Sequence, residues 1–195
     1  MKLLSYTPDT TNAATFGVLG SDGRGVIDLG SRLDDVADLD DLLRQERLDD
    51  VRSLLESDPD HDLDNIAFER LLPWPRKIFC IGVNYGGRSA EYTDTTDAAY
   101  PSVFIRYPDS FTGHLGQLLR PPESAQLDYE GEIVVVVGRG GRRIPVESAL
   151  DHVAGLSLGN EGTIRDWVRH AKFNVTQGKN WKSTGAIGPW LVTLD

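Results

Sequence analysis

Cysteine and methionine are nearly absent from this chain, which has one of each. A lone Cys80 excludes an internal disulfide and suits a reducing cytoplasm. Cys80 sits in an apolar run and reads as a small core residue rather than a nucleophile. Long apolar runs are missing too. The longest, residues 133–137, is far too short to span a bilayer, so no membrane partner is expected. Residues 1–6 show neither a long apolar stretch nor a small-residue cleavage site, so no signal peptide is expected. Basic residues are also scarce: 20 Lys and Arg stand against 30 Asp and Glu, a formal net charge of −10. Such a surface repels phosphate backbones, so nucleic acid is not an expected partner. The one basic cluster, Arg139, Arg142 and Arg143, follows a strand pattern and reads as a polar turn.

What is present is ordinary for a globular protein: 39% hydrophobic and 26% charged residues. A length of 195 residues fits one domain, or one domain with a small appendage. Residues 3–6, 16–19 and 26–29 read as short strands, with a hairpin-type turn over 21–25. Residues 33–55 carry apolar side chains at helical spacing, among them Val36, Leu39, Leu42, Leu43, Val51 and Leu54. Pro73 and Pro75 then break the pattern. Residues 1–72 are therefore expected to form a small N-terminal α+β module, and 73–195 a second unit. In that unit 77–83, 102–107, 128–137 and 154–158 read as strands. Short helices are expected around 88–92, 146–153 and 163–172, and a turn over 185–190 leads to a strand at 191–193. Many strands and few helices indicate an α+β fold with a mostly-β second part.

Acidic residues cluster where the chemistry is. Glu130 and Glu132 enter the strand 133–137, and alternation puts both on one face with Val134 and Val136. Ile133, Val135 and Val137 make an equally apolar second face, so the strand is expected to be buried on both sides. Two carboxylates entering a buried strand repel each other and lose solvation, and a cation between them relieves both. Oxygen donors of this kind favour Mg²⁺, Mn²⁺ or Ca²⁺ over zinc. Taken alone, Glu130 and Glu132 read as the solvated start of a strand. Glu161, at a strand-to-helix junction, equally reads as an acid favoured by the helix dipole. Lone Gly-x-Gly pieces such as 138–140 lack the context of a dinucleotide site.

The order of motifs supplies the context. In sequence they are Ile81-Gly82-Val83-Asn84-Tyr85, Phe104-Ile105-Arg106, Asp128-Tyr129-Glu130-Gly131-Glu132, Asn160-Glu161-Gly162-Thr163-Ile164-Arg165-Asp166, Gly178-Lys179-Asn180-Trp181 and Gly188-Pro189-Trp190. In this order and spacing, residues 77–195 resemble the catalytic domain of the fumarylacetoacetate hydrolase family. The nearest flavour is its bacterial hydroxymuconate and hydroxyheptadienedioate isomerase branch. Residues 1–70 resemble that family's variable N-terminal module.

The resemblance implies a mixed, mostly-β catalytic domain with a divalent metal held by Glu130, Glu132 and Glu161. Mg²⁺ is the first expectation, with Mn²⁺ and Ca²⁺ beside it. Glu161 stands where the family more often has aspartate. Lys179 matches a lysine that faces the substrate, and Arg106 lies on a strand that often carries a substrate-binding Arg or Lys. Val168 stands where a substrate-facing Gln is common. The family's hydrolases use a His and a Glu three residues later; here those positions are Arg88 and Glu91. Arginine stays protonated and cannot be a general base. Glu91 is then the expected acid or base, with His114 and His170 in reserve. The family domain continues beyond its Gly-Pro-Trp strand, so 73–195 is expected to be a metal-binding catalytic domain incomplete at its C-terminus. The implied activity is a cytoplasmic, homodimeric hydrolase or isomerase of small dicarboxylate or 2-oxo acid ring-cleavage products. The alternative is a non-catalytic member acting as a metal-binding or interaction module.

Overall fold

A computed structural model describes residues 1–82, 84–85, 100–170 and 174–194. Strand β1 (Lys2–Pro8) lies at the middle of the main sheet, and its alternation divides the core in two. Leu3 faces a large cluster with Phe16, Val18, Ile27, Leu29 and Leu191, while Leu4 and Tyr6 face a smaller one with Leu19 and Val26. β2 (Thr15–Leu19) and β3 (Gly25–Asp28) follow as antiparallel neighbours. Their connection is tight because Gly23 takes φ +72 and Asp22 Oδ1 accepts from the backbone N–H groups of Arg24 and Gly25, both at 2.9 Å.

Helices α1 (Leu39–Arg44) and α2 (Leu48–Leu54) roof the larger cluster. Asp38 caps α1, its carboxylate accepting from Asp41 N at 2.8 Å. Leu39, Leu42, Leu43 and Val51 point into the core. Each fully buried leucine contributes roughly 2 kcal/mol of transfer free energy. Short strands β4 (His61–Asp62) and β5 (Ile66–Phe68) pair with β3 and β1.

The second half begins with a separate ladder, β6 (Ile78–Gly82) against β7 (Ser102–Arg106). Then come β8 (Phe111–Thr112), β9 (Leu127–Asp128), β10 (Gly131–Val137), β11 (Val153–Asn160) and β12 (Thr163–Ile164). Helices α3 (Arg165–Arg169) and α4 (Val175–Lys179) precede β13 (Gly185–Thr193). Among the described residues one sheet runs β10-β11-β13-β1-β2-β3-β4, with β5 on β1 and β8 on β13. The fold is α+β and dominated by strands.

Three expectations need correction. β10 is not buried on both faces. Val136 joins the large core and Val134 packs against it, but Ile133, Val135 and Val137 are exposed, as are Leu156 and Leu158 on β11. An apolar run records side-chain chemistry on both faces, and nothing in it tells which face finds a covering layer. Phe79, Ile81, Val103 and Ile105 form a second exposed apolar face on the β6–β7 ladder.

Residues 185–190 are strand, not turn. Leu156 pairs with Val192 and Leu158 with Gly188, so the ladder is irregular between them and Pro189, in a cis bond after Gly188, needs no ladder hydrogen bond there. Residues 163–164 pair with β9 before the helix starts at Arg165. The helix expected at 88–92 lies outside the described residues.

Candidate active site

The three glutamates meet at one end of β10 and β11. Gly131 is paired with Asn160, so the residue before one strand lies beside the residue after the other. Glu130 N donates to Asn160 Oδ1 at 3.1 Å, and Glu161 N donates to Glu130 O at 2.7 Å. Carboxylate oxygens of Glu130, Glu132 and Glu161 then lie within 4.8 Å of one another. Gly162 lets the chain turn tightly here, because a Cβ at that position would stand 1.8 Å from the Thr184 carbonyl oxygen.

Cations gather round the acids. Lys179 Nζ, at the end of α4, lies 2.6 Å from Glu130 Oε2 and 2.8 Å from Glu161 Oε1. Asn180 clips α4 to β7: its Nδ2 donates to Ile105 O at 3.0 Å and its Oδ1 accepts from Tyr107 N at 2.7 Å. Arg165 Nη1 lies 2.6 Å from Glu130 Oε1, and its Nε donates to Asp128 Oδ2 at 2.9 Å. Thr163 Oγ1 adds a 3.0 Å hydrogen bond to Glu130 Oε1. Burial raises the Glu130 pKa, but the bond from Lys179 and the charges of Lys179 and Arg165 outweigh it and hold the carboxyl below its ordinary range. The Tyr85 hydroxyl donates to Glu132, which pushes the phenol pKa up.

Four residues singled out in the sequence have other surroundings. Arg106 is 2% exposed, and its guanidinium is engaged by protein acceptors. It donates to Ser110 Oγ at 3.1 Å, Ser110 O at 3.2 Å, Thr184 Oγ1 at 3.2 Å and Gly162 O at 3.3 Å, and lies over the Phe111 ring. It brackets the Gly162 turn from below instead of reaching out to a substrate. Val168 packs on α4, its Cγ2 filling the space that a Cβ on Gly178 would need. His114 meets Phe68 edge-on at 5.0 Å, and His170 packs at a tilt on Trp167 at 4.8 Å. Arg88 and Glu91 lie outside the described residues.

Arg165, Thr163 and Tyr85 carry no individual role in the sequence reading, and Cys80 reads there only as a small core residue. Arg165 and Thr163 stand in the same motif as Glu161, four and two residues on, which was the available signal. Cys80 is half-buried on the site-facing side of β6, opposite Phe104, whose ring centre is 5.2 Å from Lys179 Nζ. Burial and then the neighbouring Glu161 carboxylate push its thiol up to about 12, which disfavours the thiolate at neutral pH.

The residues present fit a divalent ion. The donor set is three carboxylates, and Glu161 Oε1 is buried with no aligned hydrogen bond despite the nearby ammonium. Fold and site together define a class: strand-rich α+β domains with an acid-lined centre and buried counter-cations. The chain belongs to the fumarylacetoacetate hydrolase family, whose model "Fumarylacetoacetate (FAA) hydrolase C-terminal" matches residues 77–195. It is 39% identical over 137 residues to the oxaloacetate tautomerase YisK of Bacillus subtilis, covering 68% of this chain and 44% of that protein. A fumarylacetoacetate hydrolase from Exiguobacterium antarcticum superposes with TM-score 0.77 at 28% identity, covering 99% of this chain and 66% of that one. The fold is shared with a maleylpyruvate hydrolase of Sphingobium sp. SYK-6, solved with manganese(II) and pyruvate, at TM-score 0.75 and 20% identity, over 100% and 68% of the two chains. The chain thus spans less than half of its tautomerase relative and about two thirds of these solved chains.

Proposed function

We propose that the chain carries the metal-binding half of a site for enol–keto or C–C bond chemistry on small 2-oxo or 1,3-dicarbonyl acids. The observation that carries this is the meeting of Glu130, Glu132 and Glu161 oxygens within 4.8 Å, beside Lys179 and Arg165. Members of the family include tautomerases and hydrolases, and the reading extends their chemistry to this chain. Glu130, Glu132 and Glu161 would hold Mg²⁺ or Mn²⁺, which supplies Lewis-acid stabilisation of enolate charge.

The chain's own residues do the rest. Lys179, 5% exposed beside the carboxylates, binds and orients an acidic substrate. Arg165 ties Asp128 to Glu130 and keeps the carboxylate aimed inward. Phe104 and Cys80 wall the site and limit water. In tautomerisation one proton moves between carbon and the enol oxygen, and Glu91 is the acid–base group assigned to it. With Arg88 in place of a basic histidine, isomerisation is favoured over hydrolysis. A cytoplasmic homodimer completes the reading.

The test is Mn²⁺ or Mg²⁺ binding together with turnover of enol-oxaloacetate and of an acylpyruvate, followed by loss of enol absorbance. Ion-dependent turnover of either supports the proposal. A folded, metal-loaded protein that turns over neither would remove it. That outcome would leave the second reading, a non-catalytic metal-binding or interaction module, which the exposed apolar faces of β10–β11 and β6–β7 favour.

A further inference from the structure

A cation already sits among the three carboxylates. Lys179 Nζ bridges Glu130 Oε2 at 2.6 Å and Glu161 Oε1 at 2.8 Å, so it engages two of the three acids whose oxygens converge. The residue is 5% exposed, with the Phe104 ring 5.2 Å from the ammonium. Its neighbours hold the acids from other sides. Arg165 and Thr163 occupy Glu130 Oε1, and Tyr85 bonds Glu132. Among the described residues Lys179 is therefore the cation that links Glu130 to Glu161, and it stands where a divalent ion shared by those oxygens would be drawn.

Like charges in a half-buried site repel strongly, since few water dipoles lie between them. A divalent ion and the ammonium cannot both stay at hydrogen-bond distance from the same two oxygens without that cost. We infer that Lys179 is a built-in counter-cation that competes with the divalent ion for Glu130 and Glu161. Its ammonium becomes available to the carboxylate of an acidic ligand only after the ion has taken its place. Metal and acid then load in that order, and the acids are never left unneutralised in the buried site. The inference rests on Glu130, Glu132 and Glu161 being a metal site.

The experiment is a Mn²⁺ titration at fixed pH and ionic strength, reading free ion by electron paramagnetic resonance, for wild type, K179Q and K179R. Removing the competing charge is expected to tighten Mn²⁺ binding by about tenfold or more in K179Q, while K179R, which keeps it, stays within about threefold of wild type. K179Q that is folded by circular dichroism and binds no more tightly than wild type overturns the inference. A second measurement needs no variant. Reductive methylation of the wild type, read by mass spectrometry with Lys2 and Lys182 as references, is expected to label Lys179 faster once Mn²⁺ is added. Unchanged or slower labelling with Mn²⁺ bound overturns it. Absence of Mn²⁺ binding by wild type and variants alike removes the metal site itself. Binding by wild type without the K179Q gain removes only the counter-cation.

Discussion

Glu161 donates its backbone N–H to the carbonyl oxygen of Glu130 at 2.7 Å, so two of the three converging acids are joined through their main chains. The adjoining Gly162 makes that junction possible. Replacing it by alanine would press a Cβ to 1.8 Å from the Thr184 carbonyl, and backbone on both sides would have to move. G162A is expected to cost roughly 1–3 kcal/mol of stability, as overpacking does. It should also weaken Mn²⁺ binding by displacing Glu161. Urea unfolding and a Mn²⁺ titration read the two effects.

Arg106 distinguishes a structural bracket from a substrate-binding group. Its four hydrogen bonds all end on protein acceptors in a buried setting. R106M takes the guanidinium donor from buried Ser110 O and Gly162 O, while Thr184 Oγ1 keeps its bond to Trp181 O, and is expected to destabilise the protein by on the order of 3 kcal/mol. Were Arg106 a substrate-binding group instead, the variant would keep its melting temperature and raise KM alone.

The two faces of β10 should respond differently to the same truncation. Val136 is 5% exposed and belongs to the large core; Val135 is 55% exposed. V136A is expected to cost about 2 kcal/mol through lost burial and the space left behind. V135A is expected to change stability by less than about 0.5 kcal/mol. Equal costs would mean that the outer face is covered in solution, and chemical denaturation of the pair decides it.

Acid sensitivity has a source in the N-terminal half. Burial raises the Asp60 pKa, but hydrogen bonds from Arg32 and the Asp28 backbone N–H, with the charges of Arg32 and His61, outweigh it and hold the carboxyl below its ordinary 3.8. A carboxyl depressed in the folded state stabilises the fold fully above its unfolded pKa, and that contribution is lost as pH falls through the folded value. D60N is therefore expected to flatten the stability profile below about pH 4 and to lower stability at pH 7 by up to about 1 kcal/mol, as for a partly exposed pair. An unchanged acid limb in D60N would assign the sensitivity to other carboxylates.

Sequence alone determined much of this protein because the relevant physics is local. Alternation placed Glu130 and Glu132 on one face, helical spacing over 33–55 marked the roof of the core, and the order of short motifs was enough to point to the family. Where a residue's role depends on which distant group it meets, only tertiary structure decided. Pairing of Gly131 with Asn160 delivered Glu161 to the other acids, and the packing of α4 delivered Lys179 between two of them. Arg106 and Arg165 are alike as side chains, yet burial set one on backbone carbonyls and hydroxyls and the other on Glu130. The apolar outer face of β10 has the composition of a core and lies open, because burial depends on what packs opposite a strand and not on its own side chains.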